Sequence, residues 1–454
     1  MERKITARLL EWKDSPYRKP LLLCGARQVG KTYAVQQFGG THYKNTAYFN
    51  FEFNRQISEI FEKDLDPVRI VNSLSAYSGI DILEKDTLIV LDEIQSCKRA
   101  LTSLKYFNEN NPEYHIIATG SLLGIALKKD DEDDNEKNDF SFPVGNVNIL
   151  RMHPMDLEEF MWATGNRKIA DGIRKAISSL EKYDLHEKAM DIYRSYLTIG
   201  GLPEAVKRHT EGADASGIAA VHADIDVTYM GDMSKYTTKA EAVAIRAIWS
   251  SIPRQLTKEN KRFVLRDVSE GARTRELGTP LDWLRTAGLV NKCERISTGE
   301  IPLSVHTEEA YFKLYMVDTG LLISKLGIPS KIILSDSSSL DMYKSAHTEN
   351  YIMQALRANE IDPYYWSPTP NKEVDFIFQD SEGAVVPVEV KSAKHVTSAS
   401  LSAFTDKYKP PYSVRISAKN IGFEKGIFSI PLYAVFCLNK DICDVLGTEC
   451  ERSQ

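Results

Sequence analysis

Three apolar runs of strand length occur in the first third of the chain, and each ends at polar or charged residues. They are residues 21–24 (LLLC), 87–91 (TLIVL) and 114–120 (YHIIATG). Runs that are apolar at successive positions are typical of parallel strands buried on both faces. Stretches with helical spacing separate the runs, so the pattern predicts a doubly wound, parallel α/β sheet.

The first run enters a loop that fits the pattern G-x-x-x-x-G-K-[ST] and precedes a helical segment, TYAVQQF. In such a loop, backbone N–H groups surround phosphate oxygens, the lysine reaches the β and γ phosphates, and the hydroxyl ligates Mg²⁺. The alternative is a chance glycine-rich turn before a basic residue. The residues predicted to bind ATP here are Gly25, Ala26, Arg27, Gln28, Val29, Gly30, Lys31, Thr32 and Tyr33.

The second run ends at two adjacent carboxylates, where open α/β sheets place their ligands. We expect Asp92 to hold Mg²⁺ together with Thr32, and Glu93 to polarise the attacking water. The alternative is that both acids begin a surface loop. The third run is followed by Ser121, which either senses the γ-phosphate or caps the next helix.

The last third of the chain carries four polar residues in a second pattern. Glu349 lies in a helical stretch, Asp375 lies in the strand-like EVDFIF, and Glu389 and Lys391 lie two apart in AVVPVEVKS. Period-2 geometry puts the last two on one sheet face. This order resembles the PD-(D/E)xK nuclease core. In that core Asp375 and Glu389 would bind a metal, Glu349 would add a ligand or position its helix, and Lys391 would be catalytic. The alternative is a set of ordinary surface ion pairs.

Helical spacing dominates residues 156–235, which predicts a small helical lid. A helix at 240–256, further helical segments to Ala287-Gly288 and a following strand suggest a winged helix. Seven basic residues there predict contact with DNA phosphates, whereas a solvated surface or an inter-domain scaffold is the alternative. They are Arg254, Lys258, Lys261, Arg262, Arg266, Arg273 and Arg275.

Composition narrows the class of protein. The chain has 454 residues, 43% of them hydrophobic and 26% charged, as in ordinary soluble proteins. A net charge of −6 excludes a wholly basic nucleic-acid coat. No apolar run approaches the length of a membrane helix, and the six cysteines are scattered, so we expect a cytoplasmic protein without structural zinc. The acidic run 130–139 predicts a mobile, solvated loop.

Several motifs together resemble one family. They are GARQVGKT (25–32), LIVLDEIQ (88–95), FPVGNVNILRMHPMDLEEF (142–160), YLTIGGLPEAV (196–206), KLYMVDTGLL (313–322), EVDFIF (373–378) and VEVKS (388–392). The chain is similar to prokaryotic AAA-type P-loop ATPases with a C-terminal DUF4143 domain. The resemblance implies ATP and Mg²⁺ as ligands and slow hydrolysis. Gly201-Leu202-Pro203 also resembles the GxP motif of signalling-type relatives, which would place Pro203 near the adenine; the alternative is a simple turn.

We therefore predict a P-loop ATPase core (1–155), a helical lid (156–235), a winged-helix segment (236–310) and a nuclease-like α/β domain (311–454). The predicted function is ATP hydrolysis coupled to a nuclease-like domain acting on DNA or RNA. The alternative is a signalling-type switch whose C-terminal domain binds a protein partner or DNA without cleaving it. Arg99 and Arg151 are candidate arginine fingers, and a finger from a neighbouring subunit would require a homo-oligomer. No membrane partner is expected.

Overall fold

The computed structural model describes residues 1–121, 143–235, 237–268, 277–328, 341–369, 372–391 and 399–441. In these ranges the strands form two sheets, one of five strands and one of eight. Helices cover both. The acidic run 130–139 and the helix predicted after Ser121 lie outside the described residues.

The first sheet is parallel and has the strand order β2-β3-β4-β1-β5. Its strands are β1 (Leu21–Cys24), β2 (Asn45–Asn50), β3 (Thr87–Asp92), β4 (His115–Gly120) and β5 (Asn148–Arg151). The three strands predicted from apolar runs are β1, β3 and β4. All six residues of β3 and of β4 are buried, as expected of central parallel strands. The doubly wound α/β fold is confirmed.

Helices cover both faces of this sheet. They are α1 (Ile5–Asp14), α2 (Lys31–His42), α3 (Arg55–Glu62), α4 (Pro67–Ser78) and α5 (Lys98–Asn110). Successive residues of β1 point to opposite faces: Leu21 and Leu23 join the cluster that contains Phe38, while Leu22 joins the one that contains Leu101. Two cores therefore hold the sheet, and the loop between β1 and α2 lies at its carboxyl edge.

The middle of the chain is helical, as predicted. Its helices are α6 (Leu157–Ala163), α7 (Arg167–Ser178), α8 (His186–Ile199), α9 (Pro203–Thr210), α10 (Ala215–Asp232), α11 (Lys239–Leu256) and α12 (Gly278–Thr286). A capping box between Asp156 and Glu159 starts α6. The lid bounds 156–235 stay a prediction, because helices continue beyond them in α11 and α12.

The second sheet is mixed, with the order β12-β13-β11-β10-β9-β8-β6-β7. Its strands are β6 (Val290–Ile296), β7 (Thr307–Met316), β8 (Tyr364–Thr369), β9 (Lys372–Gln379), β10 (Val385–Val390), β11 (Ser413–Ser417), β12 (Gly422–Glu424) and β13 (Ile427–Pro431). The helices that accompany it are α13 (Thr319–Leu326), α14 (Asp341–Ala358) and α15 (Ala399–Tyr408).

The hairpin β6–β7 is part of this sheet, because β6 also pairs with β8 in parallel. The boundary predicted at 310/311 therefore falls inside β7, and residues on both sides of it share one sheet. The segment from α11 to this hairpin has the helix and hairpin order of the predicted winged helix, but residues 269–276 lie outside the described ranges. The winged helix stays a prediction.

Most described members of the predicted basic face are engaged within the protein. Arg254 donates to the Asp267 carbonyl at 2.6 Å, and Lys258 pairs with the Asp267 carboxylate at 2.7 Å. Lys261 pairs with Glu349 and Arg262 lies over the Tyr311 ring. Arg273 and Arg275 lie outside the described residues.

Within the described ranges, no helix combines the length and the apolar character that a membrane crossing requires.

Candidate nucleotide-binding site

The loop between β1 and α2 closes around the amine of Lys31. Gly30 precedes the helix with φ +93°, a conformation that glycine adopts without steric cost. The Lys31 amine donates to the carbonyl oxygens of Gly25 at 2.9 Å and Ala26 at 2.8 Å. Burial lowers the pKa of Lys31 to about 8, against the opposing charge of Glu93. A buried cation thus lies at the start of a helix, where an anion is stabilised.

The hydroxyl of Thr32 and the carboxylate of Asp92 meet, although 60 residues separate them along the chain. The Thr32 hydroxyl donates to Asp92 Oδ2 at 3.0 Å. Asp92 is buried and also accepts from the Tyr48 hydroxyl at 2.6 Å and from the Thr119 hydroxyl. The two side chains predicted to hold Mg²⁺ are therefore brought together.

Glu93 follows directly at the end of β3 in a left-handed conformation, with φ 53°. Its own N–H donates to the Asp92 side chain at 3.1 Å, and Gln95 donates an N–H to its carboxylate. The turn therefore directs the two adjacent carboxylates into different contacts. Asp92 faces Thr32, while Glu93 is held by Gln95.

Three structural contacts of the loop were not predicted from the sequence. Arg27 pairs with Asp232 of α10 at 2.5 Å, and the Tyr229 hydroxyl donates to the Arg27 carbonyl at 2.9 Å. On the other side, the buried Arg3 donates to the Val29 carbonyl at 2.7 Å. The helical middle and the chain start thus both hold the loop. A single Arg or Asp has no spacing pattern that would have identified these partners.

Pro203 lies against the loop. A Cβ placed on Gly30 would lie 3.5 Å from Pro203 Cγ, so the proline ring packs over the glycine that starts α2. The preceding Gly201 N–H donates to Asp318 Oδ2 at 2.6 Å. The GxP turn is confirmed as the start of α9, and a contact with adenine stays a prediction.

The remaining predicted nucleotide contacts differ in their surroundings. Tyr33 is 55% exposed and accepts a hydrogen bond from the chain's first amino group at 3.2 Å. Gln28 has φ 65° within the loop. Ser121 is buried and lines a cavity beside Gly25 and Ala26.

The two candidate arginine fingers differ as well. Arg99 donates to the Phe61 carbonyl at 2.7 Å and lies 3.7 Å from the Glu62 carboxylate. Arg151, at the end of β5, lines the same cavity as Ser121. Arg99 thus supports the junction of α3 and α5, while Arg151 faces the loop.

In the second sheet, the carboxylate of Glu349 is surrounded by cations. Lys261 pairs with one oxygen; the other accepts from Lys313 at 3.3 Å and from the Tyr315 hydroxyl at 3.1 Å. Although burial raises the pKa of Glu349, the charges of Lys261 and Lys313 outweigh it and lower the pKa to about 2. Lys313 is fully buried and also pairs with Glu373 at 2.5 Å.

The other three residues of the nuclease-like pattern lie on β9, on β10 and at the end of β10. Asp375 accepts from the Val390 N–H at 2.8 Å, while burial and the charge of Glu349 raise its pKa to about 7. Glu389 is buried and lies 3.1 Å from the Lys391 amine. The strand geometry that predicted this last pair is confirmed.

In the part of the chain that the structure describes, no group of three or more His, Cys, Asp or Glu side chains is arranged to hold a metal ion. The charge of Glu349 acts on Asp375 and raises its pKa, and a metal site formed by Glu349, Asp375 and Glu389 stays a prediction. Lys313 was missed in the sequence because KLYMVDTGLL carries no charge pattern that links it to a helix 36 residues later.

Comparison with solved structures gives distant matches. A Walker-type ATPase of Pyrococcus abyssi, PABY2304, is 16% identical, with a TM-score of 0.43 over 72% of this chain and 95% of that chain. The Aeropyrum pernix ORC1 protein in complex with DNA is 12% identical, with a TM-score of 0.27 over 73% and 93%. The Thermotoga maritima RuvB Holliday junction branch migration motor is 13% identical, with a TM-score of 0.28 over 64% and 89%.

Family models match three parts of the chain. Residues 17–161 match the AAA domain, 190–332 match a domain of unknown function (DUF8612), and 344–435 match another (DUF4143). No curated protein matches the chain. The AAA match contains the loop and both acids, and the DUF4143 match contains the nuclease-like pattern. The predicted combination of an AAA domain with a C-terminal DUF4143 domain is therefore confirmed.

Proposed function

We propose that this protein binds ATP with Mg²⁺ in the β1–α2 loop and hydrolyses it there. The observation that carries the proposal is the Thr32–Asp92 hydrogen bond at 3.0 Å beside the buried amine of Lys31. A hydroxyl and a carboxylate next to a cation at a helix start form the donor set that a metal-bound triphosphate requires.

The donor set fits Mg²⁺ by its chemistry, because oxygen ligands from a hydroxyl and a carboxylate are those that Mg²⁺ prefers. When bound, Mg²⁺ neutralises charge on the phosphates. Tyr48 and Thr119 fix the orientation of the Asp92 carboxylate through their hydroxyls. This support keeps Asp92 directed at Thr32 rather than free to rotate.

The remaining steps of ATP binding and hydrolysis are assigned to Lys31, Glu93 and the backbone amides of the loop. Lys31 exchanges its bonds to the Gly25 and Ala26 carbonyls for phosphate oxygens, which compensates the buried ammonium better than neutral carbonyls do. Glu93 leaves Gln95, orients the attacking water and accepts its proton. The amides of the loop stabilise the charge that develops on the phosphate oxygens.

Calorimetric titration of ATP into the full chain tests the proposal. We expect binding in wild type with Mg²⁺ and at least a tenfold weaker affinity in Lys31→Ala, since charged hydrogen bonds contribute about 1.5–3 kcal/mol each. Lys44→Ala is the matched control, because Lys44 is 74% exposed and pairs with Asp86. Equal affinity in Lys31→Ala and Lys44→Ala would exclude this loop as the site.

We further propose that the C-terminal unit acts as a binding module that the nucleotide switches, and that it does not cut nucleic acid. The contacts of Lys313 and Lys261 support this, because two ammonium groups already neutralise Glu349. A divalent metal there would have to replace both cations. The rival nuclease function is favoured by the Glu389–Lys391 pair alone.

A cleavage assay separates the two functions. DNA and RNA substrates are incubated with Mg²⁺ or Mn²⁺, with and without ATP, using wild type, Lys391→Ala and Lys409→Ala, an exchange outside the nuclease-like pattern. The binding module predicts no cleavage by any of the three. Cleavage that Lys391→Ala abolishes and Lys409→Ala retains would establish the nuclease instead.

A further inference from the structure

A cavity of about 670 Å³ lies between the two sheets, at the edge of the phosphate-binding loop. One wall consists of Gly25, Ala26 and Ser121 from the carboxyl edge of the first sheet. The opposite wall comes from α12, β6 and the end of α14, far from the loop in sequence. The turn after α12 approaches closely: a Cβ placed on Gly288 would lie 3.2 Å from the Ala26 nitrogen.

Three arginines from three different elements line this cavity. Arg151 ends β5, Arg285 lies in α12, and Arg357 lies at the end of α14. Burial, with the positive charges of Arg151 and Arg285, lowers the pKa of Arg357. Like charges held together without a shared anion repel each other, so the cluster favours a negatively charged ligand.

The hydrogen-bonding capacity of the cluster is incompletely used. Arg357 Nε is buried and has no hydrogen-bond partner among the described residues. Within the same ranges, the guanidinium of Arg151 makes no hydrogen bond or ion pair, although it lies near the Cys24 thiol and His153. Planar guanidinium forks match the oxygens of a phosphate group, so these free donors suit that anion.

The carboxylates at the cavity compete only weakly with a phosphate group for the arginine side chains. Asp282 pairs with Arg285 at 3.2 Å and Asp362 pairs with Arg357, but these carboxylates are 51% and 71% exposed. The fourth cation, Lys292, pairs with Glu294 at 2.5 Å. An ion pair whose carboxylate is exposed to solvent contributes little, so Arg285 and Arg357 can turn from their carboxylates to a phosphate group at small cost.

We propose that this cavity is a phosphate-binding site, formed by Arg151, Arg285 and Arg357. The ligand is a phosphate group, supplied either as inorganic phosphate or as the terminal phosphate of ATP in the adjoining loop. This inference rests on the proposed function. Arg285 and Arg357 follow the AAA domain in sequence. Phosphate binding at this site would therefore couple the AAA domain to the C-terminal sheet.

Two titrations test the proposal and separate the two sources: equilibrium dialysis with radiolabelled inorganic phosphate, and calorimetry with ATP and Mg²⁺. Both use the full chain as wild type, Arg285→Gln, Arg357→Gln and Lys31→Ala. Arg194→Gln is the matched control, because Arg194 pairs with Asp191 at the same i,i+3 spacing, at 2.6 Å, and does not line the cavity. The half-exposed Arg285 keeps the test valid if Arg357→Gln unfolds.

If inorganic phosphate is the source, the two cavity variants bind it about tenfold more weakly, while Arg194→Gln and Lys31→Ala bind it as wild type does. If ATP is the source, the cavity variants weaken ATP binding by a similar factor and Arg194→Gln does not. Unchanged affinity of Arg285→Gln for both ligands overturns the inference. In that case ATP binding lost only in Lys31→Ala leaves the proposed function intact, so the two failures are distinguishable.

Discussion

The carboxylate of Asp318 accepts a hydrogen bond of 2.6 Å from the backbone N–H of Gly201, and both groups are buried. The same carboxylate caps α13 through the Leu321 N–H at 3.0 Å. Gly201 is two residues from Pro203, which packs over Gly30 of the phosphate-binding loop. One buried carboxylate thus links the start of α13 to the turn that contacts the loop.

Asp318→Asn should destabilise the fold by about 2 kcal/mol. The asparagine NH₂ group would face one of the two backbone N–H groups that now donate hydrogen bonds to the carboxylate, so that N–H group would lose its acceptor. Urea unfolding measures the change. Asp214→Asn is the control, since Asp214 also caps a helix, through the Gly217 N–H at 2.8 Å, but at the surface. Equal losses in the two variants would show that the buried bond has no special importance.

Lys313→Met should destabilise the protein by about 3–5 kcal/mol, because it removes a fully buried ammonium group that compensates the charge of the buried Glu349 and also pairs with Glu373. Adding Glu349→Gln should recover part of the loss. Thermal and urea unfolding of the single and double variants measure both effects. Lys258→Met, which breaks the exposed pair with Asp267, serves as the control and should change stability little. A single variant as stable as wild type would contradict the buried network.

The imidazole of His347 should make stability fall in acid. Burial lowers its pKa to about 4, so between pH 6.5 and 4 the unfolded chain binds the proton more readily than the folded chain. The contribution of His347 to the free energy of unfolding is fully present above about pH 6.5 and is smaller by about 3 kcal/mol at pH 4. His347→Gln removes the dependence, so the difference in unfolding free energy between wild type and variant should change over this window. A constant difference would refute the prediction.

ATP binding should be accompanied by proton uptake near pH 8. Burial lowers the pKa of Lys31 to about 8 in the free protein, and phosphate charge would raise it. Roughly half a proton should therefore be taken up at pH 8, and less at pH 7. Calorimetry in two buffers of different ionisation enthalpy measures this number. Proton release at pH 8 would place another group in contact with the phosphates.

The first sheet and its loop were predictable because their signals are local. The apolar runs of β1, β3 and β4 and the spacing between Gly25 and Thr32 lie within short stretches, and strand ends meet at one edge by geometry. The same rule indicated that Asp92 approaches Thr32. Thr119 is the penultimate residue of the neighbouring strand β4, so its position also indicated this edge of the sheet, although Ser121 was the residue predicted there.

The second sheet was only partly predictable because its decisive pairings are long-range. The β9–β10 hairpin follows from the turn between two apolar strands. In contrast, the parallel pairing of β6 with β8 joins strands that are 70 residues apart and has no local signal. For the same reason the pattern of Glu349 and Asp375 suggested a metal site, whereas Lys261 and Lys313 arrive from other elements to neutralise Glu349.

ATP turnover by Glu93→Gln tests most directly the claim that the protein hydrolyses ATP at the β1–α2 loop. With Mg²⁺, wild type should release phosphate steadily, while Glu93→Gln should bind ATP with similar affinity and release phosphate at least about 100-fold more slowly. Glu52→Gln is the control for acid loss near the loop, since Glu52 pairs with Arg27 at 3.3 Å. Turnover by Glu93→Gln at the wild-type rate would contradict hydrolysis at this site.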